Sequence, residues 1–264
     1  MGRLHHLGQS LPLLATQPGL QCIVVDYGCP DHAGAWVEQN FPGVLVVRAG
    51  AVAHFNASKA RNLGAPLAQT QWLCFLDADT LVGPAFATDV TQGLRARTFF
   101  LADPCPHEMC GMVVCRRDDF FAIGGYDELF TGWGAQDRDL YLRLQLSGCK
   151  QAGFPAGEIR MITHGDDERT RHHEIRERFL SLRINGMYLQ MKTDLARLTG
   201  VAELDLVDRQ ELYARIRQRV LADPRAAARV DVTLPRRCDF TQPPDWRLAR
   251  TISYCFEPLH SNAP

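Results

Sequence analysis

The sequence predicts an α/β domain with a largely parallel sheet and a helical C-terminal extension. Three observations carry this. Residues 22–26, 44–48 and 72–76 are apolar runs of strand length. Helical stretches at 3–17, 33–39 and 56–67 alternate with them, and such alternation favours parallel pairing. The third apolar run leads straight into an acidic triplet, Asp77-Ala78-Asp79.

Each element has a local reason. Leu4, Leu7, Leu11 and Leu14 share one helical face, and Pro18-Gly19 stops that helix. Further on, residues 111–115 and 159–162 read as strands. Residues 137–146, 174–198 and 205–221 read as helices. From Pro235 the chain is proline-rich and is expected to be irregular. This organisation predicts a domain over residues 1–170 and a helical extension over 171–264.

Bulk properties narrow the function. The 264 residues are 46% hydrophobic and 22% charged, an ordinary globular balance. Lys plus Arg is 29 and Asp plus Glu is 30, so a broad electrostatic footprint for nucleic acid is absent. No apolar run approaches the roughly 18 residues of a membrane span, and the polar start does not read as a leader. A cytoplasmic location is expected, either free or peripheral to a membrane. The nine cysteines are scattered without a C-x-x-C pair and read as reduced thiols.

Three groups of residues can carry chemistry. Two carboxylates at a strand's carboxyl end, Asp77 and Asp79, can meet a hard cation and its waters; the plainer reading is a solvated turn. Trp133-Gly134-Ala135-Gln136-Asp137 opens a helix. Asp137 suits a general base there, although carboxylates in a first turn also simply favour the helix dipole. Trp133 offers an apolar platform for a sugar ring. His164 ends a strand-like segment, a place where a lone histidine is more often structural. The pairs His5-His6 and His172-His173 read as solvated faces.

In order, Leu-Asp77-Ala-Asp79, Gly-Gly-Tyr126-Asp127-Glu128 with Gly132-Trp133-Gly134-Ala-Gln-Asp137, and Arg160-Met161-Ile162-Thr-His164 resemble the GT-A-fold glycosyltransferases. Over residues 3–170 the pattern is similar to the β-1,4-galactosyltransferases and to bacterial family-two glycosyltransferases. The resemblance implies a Rossmann-like mixed sheet flanked by helices. It also implies inverting transfer of a hexose or N-acetylhexosamine from a UDP-sugar, assisted by Mn2+, with Mg2+ as the alternative ion. Asp79, His164 and Met161 match the metal ligands, Met161 being a soft donor for a hard ion. Asp137 matches the base. Phe55 matches an aromatic that stacks on uracil. Asp26 sits where related enzymes contact the nucleoside, and Arg3 matches an arginine near the donor phosphates. Asp77 and Lys59 join the donor side. Trp133, Gly134 and Gln136 face the acceptor, which is a glycan, a lipid-linked glycan or a small molecule.

Three departures stand out. Gln136 and Arg138 replace acidic residues on the acceptor side. Ala57 replaces a phosphate-binding arginine, for which Lys59 or Arg61 could compensate. No strand is visible before Arg3, where the family has a central one. Loss of such a strand exposes two ladders, so a segment upstream or a second copy in a homodimer is expected to fill the gap. Two other readings compete with this one. A methyltransferase, suggested by Val24-Val25-Asp26-Tyr27-Gly28-Cys29, lacks the further glycines of a cofactor loop. A non-catalytic nucleotide- or carbohydrate-binding relative would have no need of Asp137.

Overall fold

A computed structural model describes residues 1–105, 111–201, 203–233 and 250–257. They form two units, Met1–Ser181 and Leu182–Pro264. In the first unit α1 (Leu4–Ala15) precedes β1 (Ile23–Asp26), α2 (Ala33–Asn40), β2 (Leu45–Arg48), α3 (Ala57–Gly64) and β3 (Trp72–Phe75). Then come β4 (Thr80–Leu81), α4 (Phe86–Thr91), β5 (Thr98–Asp103), β6 (Val113–Arg116) and α5 (Arg117–Ala122). The unit continues through α6 (Gln136–Leu146), β7 (Lys150–Pro155), β8 (Arg160–Met161) and α7 (Asp166–Thr170).

The principal sheet has the order β3-β6-β5-β7. Its β3–β6 and β6–β5 ladders are antiparallel and its β5–β7 ladder is parallel. The sheet is thus mixed, as the resemblance implies, and the expectation of a largely parallel sheet is corrected. The reason lies in β5 and β7, which the pattern reading passed over. The Lys-Gln-Ala-Gly-Phe-Pro run of β7 buries one side chain, Phe154, so it lacks the alternation that marks a strand.

Both faces of this sheet are covered. Phe99 and Phe100 point to opposite sides, as neighbours in a strand must. Phe99 joins Leu73, Phe75, Val113, Leu140 and Leu144 in a core against α5 and α6. Phe100 joins Val114, Phe154, Phe86 and Val90 in a core against α4.

β1 and β2 pair in parallel, Asp26 opposite Arg48, as a separate two-stranded sheet. α1 and α2 cover it through Leu11 and Val37, which pack with Val44 just before β2. Among the described residues no strand precedes α1, and no ladder joins β1 to β3.

Two devices position the site. Thr80 of β4 pairs with Met161 of β8, and the Ile162 amide donates to the Asp79 carbonyl at 2.8 Å. That short ladder draws segments 79 and 161–164 together. Asn62 of α3 donates to the Tyr126 carbonyl and accepts from the Tyr126 amide, each at 2.9 Å. Gly125 has φ +70°, and a Cβ there would lie 2.7 Å from Asn62 Oδ1, so the clamp needs glycine. The chain then enters α6 through Gly134 (φ 95°) and Ala135 (φ 74°). The left-handed alanine costs on the order of 1–3 kcal/mol.

In the second unit, α9 (Leu206–Ala222) is capped by the Asp205 carboxylate, which accepts from the Asp208 amide. It buries Leu212, Tyr213, Ile216 and Val220 at helical spacing. The helix α8 (Arg178–Thr199) starts four residues later than predicted, and its Asn185 accepts from Tyr213 Oη at 3.2 Å. The wholly irregular tail is corrected. β10 (Thr251–Phe256) pairs antiparallel with β9 (Ala228–Thr233); the proline-rich stretch 235–249 lies outside the described residues. No described helix is long and apolar enough to cross a membrane.

The solvated reading of two histidines is also corrected, because tertiary packing outweighs their charged neighbours in sequence. His6 is 2% exposed and His173 is 6% exposed. Burial pulls the His173 imidazole down to about 4. The unfolded chain takes up that proton near the ordinary 6.5. Its stability contribution is therefore full above about pH 6.5 and falls as the pH drops towards 4. Between pH 7 and pH 5, His173 should cost on the order of 1–2 kcal/mol in urea unfolding. His173→Gln should flatten that decline, and an equal decline in both proteins would contradict the assignment.

Candidate active site and metal centre

β3 delivers Asp77 and Asp79 past its carboxyl end, and the β4–β8 ladder delivers His164. His164 Nε2 lies 2.5 Å from Asp79 Oδ2, across 85 residues of sequence. Their side chains are 5% and 16% exposed. Asp79 Oδ1 is buried with no hydrogen-bond partner. A buried carboxylate oxygen left unpaired is uncommon, and a cation on that oxygen would satisfy it. The donor set of carboxylate and imidazole fits a divalent cation. Met161 is adjacent through its register with Thr80.

His6 was not anticipated. One ligand atom each of His6, Asp79 and His164 lies within 4.8 Å of the others. Arg3 stands at the same place. It donates to Glu168 Oε1 at 2.9 Å and to the Glu168 carbonyl at 3.2 Å. Its guanidinium lies 3.0 Å from His6 Nδ1 and 3.5 Å from His164 Nδ1. The predicted phosphate-side arginine therefore borders the metal candidate, held by α7.

A second cluster adjoins the first through Asp77. Arg61 of α3 donates to Asp77 Oδ1 at 2.8 Å and to Asp137 Oδ1 at 2.6 Å. Its guanidinium lies 5.0 Å from the centre of the Tyr126 ring, within cation–π range. Asp137 also accepts from Tyr126 Oη at 3.4 Å and from Gln136 Nε2 at 3.2 Å. Burial raises the Asp137 carboxyl above the usual range, and the negative Asp77 adds to this; the Arg61 charge opposes both. A carboxylate of raised basicity is suited to proton abstraction. Arg61 itself is 10% exposed and committed to carboxylates, so it does not stand ready as the phosphate ligand that Ala57 fails to supply. Its role had no motif to announce it; its place one helical turn after Ala57 pointed only to a phosphate contact.

The other predicted residues are placed as follows. Asp26 is 8% exposed, and its two oxygens accept from the Cys29 and Gly34 amides at 2.8 and 2.9 Å. It ties β1 to α2. Phe55 is half-buried between Tyr27 and His173, with ring centroids 5.7 and 5.5 Å away and edge-on. Lys59 is exposed on α3. Trp133 carries the Arg178 guanidinium 4.0 Å over its ring, so that face is shared with a cation. Gly134 and Gln136 flank the start of α6, beside Asp137.

A family model described as "Glycosyl transferase family 2" matches residues 4–122. Another, "N-terminal domain of galactosyltransferase", matches residues 94–165. Beta-1,4-galactosyltransferase 1 of Bos taurus is 23% identical over 184 residues, 61% of this chain and 46% of that protein. Beta-1,4-galactosyltransferase 2 of Homo sapiens is 28% identical over 188 residues, covering 66% and 49%. The chain thus spans about half the length of these relatives. Among solved structures, S. aureus TarS 1–349 in complex with UDP superposes with a TM-score of 0.56 at 13% identity, over 85% of this chain and 70% of that one. The mannosyltransferase PcManGT from Pyrobaculum calidifontis, in complex with GDP-Man and Mn2+, gives 0.51 at 12% identity, over 81% and 66%. The chain has the GT-A fold, and over residues 4–165 it resembles the family-two glycosyltransferases and the β-1,4-galactosyltransferases.

Proposed function

We propose that the chain is a metal-dependent inverting glycosyltransferase that moves a hexose or N-acetylhexosamine from a UDP-sugar to a hydroxyl of a glycan, lipid-linked or small-molecule acceptor. The observation that carries this reading is the meeting of Asp79 and His164, with the unpartnered Asp79 Oδ1, next to a buried carboxylate of raised basicity.

Asp79, His164 and Met161 hold Mn2+, or Mg2+ in its place. The ion, when bound, supplies Lewis-acid stabilisation of the departing diphosphate. Arg3 lies beside that position and adds positive charge. Asp77, Phe55, Asp26 and Lys59 line the nucleoside side. Trp133, Gly134 and Gln136 orient the acceptor. Asp137 takes the proton of the acceptor hydroxyl as its oxygen forms a bond to the anomeric carbon. The bond from that carbon to the β-phosphate oxygen breaks, and UDP leaves with its electron pair. Configuration inverts because attack and departure occur on opposite faces.

The test is UDP release from UDP-galactose, UDP-N-acetylgalactosamine and UDP-glucose with Mn2+, with and without candidate acceptors. Asp137→Asn should lower turnover by about 10²–10⁴-fold while UDP affinity stays within about threefold. Absence of turnover in the wild-type protein, with UDP still bound, would favour a non-catalytic nucleotide-binding relative. The metal assignment gives an independent expectation. UDP with Mn2+ should raise the melting temperature of the wild-type protein, because a ligand of the native state stabilises it. Asp79→Asn should abolish the Mn2+-dependent part of that rise, and an undiminished rise would sink the assignment.

A further inference from the structure

Arg61 belongs to neither half of the proposed machinery, yet it touches both. Its fork spans Asp77, on the donor side, and Asp137, on the acceptor side, at 2.8 and 2.6 Å. The two partners differ in setting: the Asp77 side chain is 52% exposed, whereas Asp137 is 15% exposed. Asp77 is the arm that an incoming ligand can reach. Gly111 roofs the cluster. A Cβ there would lie 3.0 Å from Asp77 Oδ2 and 3.1 Å from Arg61 Nη2.

We infer that Arg61 is a positioning residue that couples occupancy of the donor site to the basicity of Asp137 through its shared hold on Asp77. This rests on the glycosyltransferase reading. With the donor site empty, one guanidinium serves two carboxylates. A donor-sugar hydroxyl that engages Asp77 changes how that guanidinium is divided, and the change reaches Asp137 through a fixed fork. The groups facing Asp137 are Arg61 from α3, Asp77 beyond β3, Tyr126 from the loop before α6, and Gln136 and Tyr141 from α6 itself. Arg61 supplies the cation among these. Removing it leaves a desolvated carboxylate beside another carboxylate.

The test reads Asp137 directly. The side-chain carboxyl carbon is followed by NMR in 13C-aspartate-labelled protein, its signal assigned by its loss in Asp137→Asn. Arg61→Gln should raise the Asp137 midpoint by about 1–3 pH units, the usual effect of losing a close opposite charge. Asp77→Asn should move the midpoint the other way, since it removes a repelling charge and leaves Arg61 to Asp137. Adding UDP with Mg2+ to the wild-type protein should also shift it, and should shift it less in Arg61→Gln. In turnover, the acid limb of kcat/KM should follow the same order, with kcat reduced at least tenfold in Arg61→Gln and less in Arg61→Lys. A purely structural arginine predicts an Asp137 midpoint that UDP with Mg2+ does not move, or moves equally in the wild-type protein and in Arg61→Gln, and that result overturns the inference. If Arg61→Gln fails to fold, an Asp137 midpoint unchanged or raised in Asp77→Asn overturns it. Midpoints that move as stated without turnover in any protein would leave the coupling standing and remove the transferase reading.

Discussion

The site depends on one short constraint, the β4–β8 ladder. Two pairs, Thr80 with Met161 and Leu81 with Arg160, set segments far apart in sequence side by side. Each backbone hydrogen bond is worth only about 1 kcal/mol net. The ladder holds because its flanks are anchored. Thr80 is 1% exposed, and Ile159 and Val82 are buried in the core that Phe100 and Val114 build. Ser10 of α1 donates to the Ala78 carbonyl at 2.7 Å, which fixes the middle of the acidic triplet from the other side. With both neighbours pinned, the Asp79 side chain has little choice but to face His164.

Charge is arranged around this constraint with economy. Arg3 and Glu168 balance beside the two histidines, and Arg61 balances Asp77 and Asp137. The local sum of Arg61 with its two carboxylates is negative by one, a setting in which a cation bound nearby is welcome. Desolvation makes these interactions stronger than their surface counterparts, and it is also what lifts Asp137. The exposed pairs elsewhere, such as Arg48 with Glu38, contribute little to stability.

Much of this was legible in the sequence, for identifiable reasons. The triplet, Asp137 and His164 each sit at or just beyond a strand or helix terminus, where periodicity changes. The helices with regular leucines, α1 and α6, declared themselves. What stayed hidden was tertiary. His6 and His173 look solvated in a charged neighbourhood and are buried by distant segments. Arg61 is an ordinary helical residue until α6 arrives across it. β7 buries one side chain, too few to show a period of two, whereas β10 does alternate between exposed and half-buried positions but follows a proline-rich stretch that reads as irregular. No local pattern in residues 22–76 signals the split between the β1–β2 pair and the principal sheet.

The most direct test of the central claim is the position of the metal. Crystals grown with UDP and Mn2+ should show an anomalous peak at the manganese edge bonded to Asp79 and His164, at roughly 2.0–2.3 Å from their donor atoms. The Met161 sulfur should lie on the same ion, with diphosphate oxygens opposite. A peak elsewhere, or diphosphate bound with Asp79 and His164 still paired directly to each other, would contradict the account.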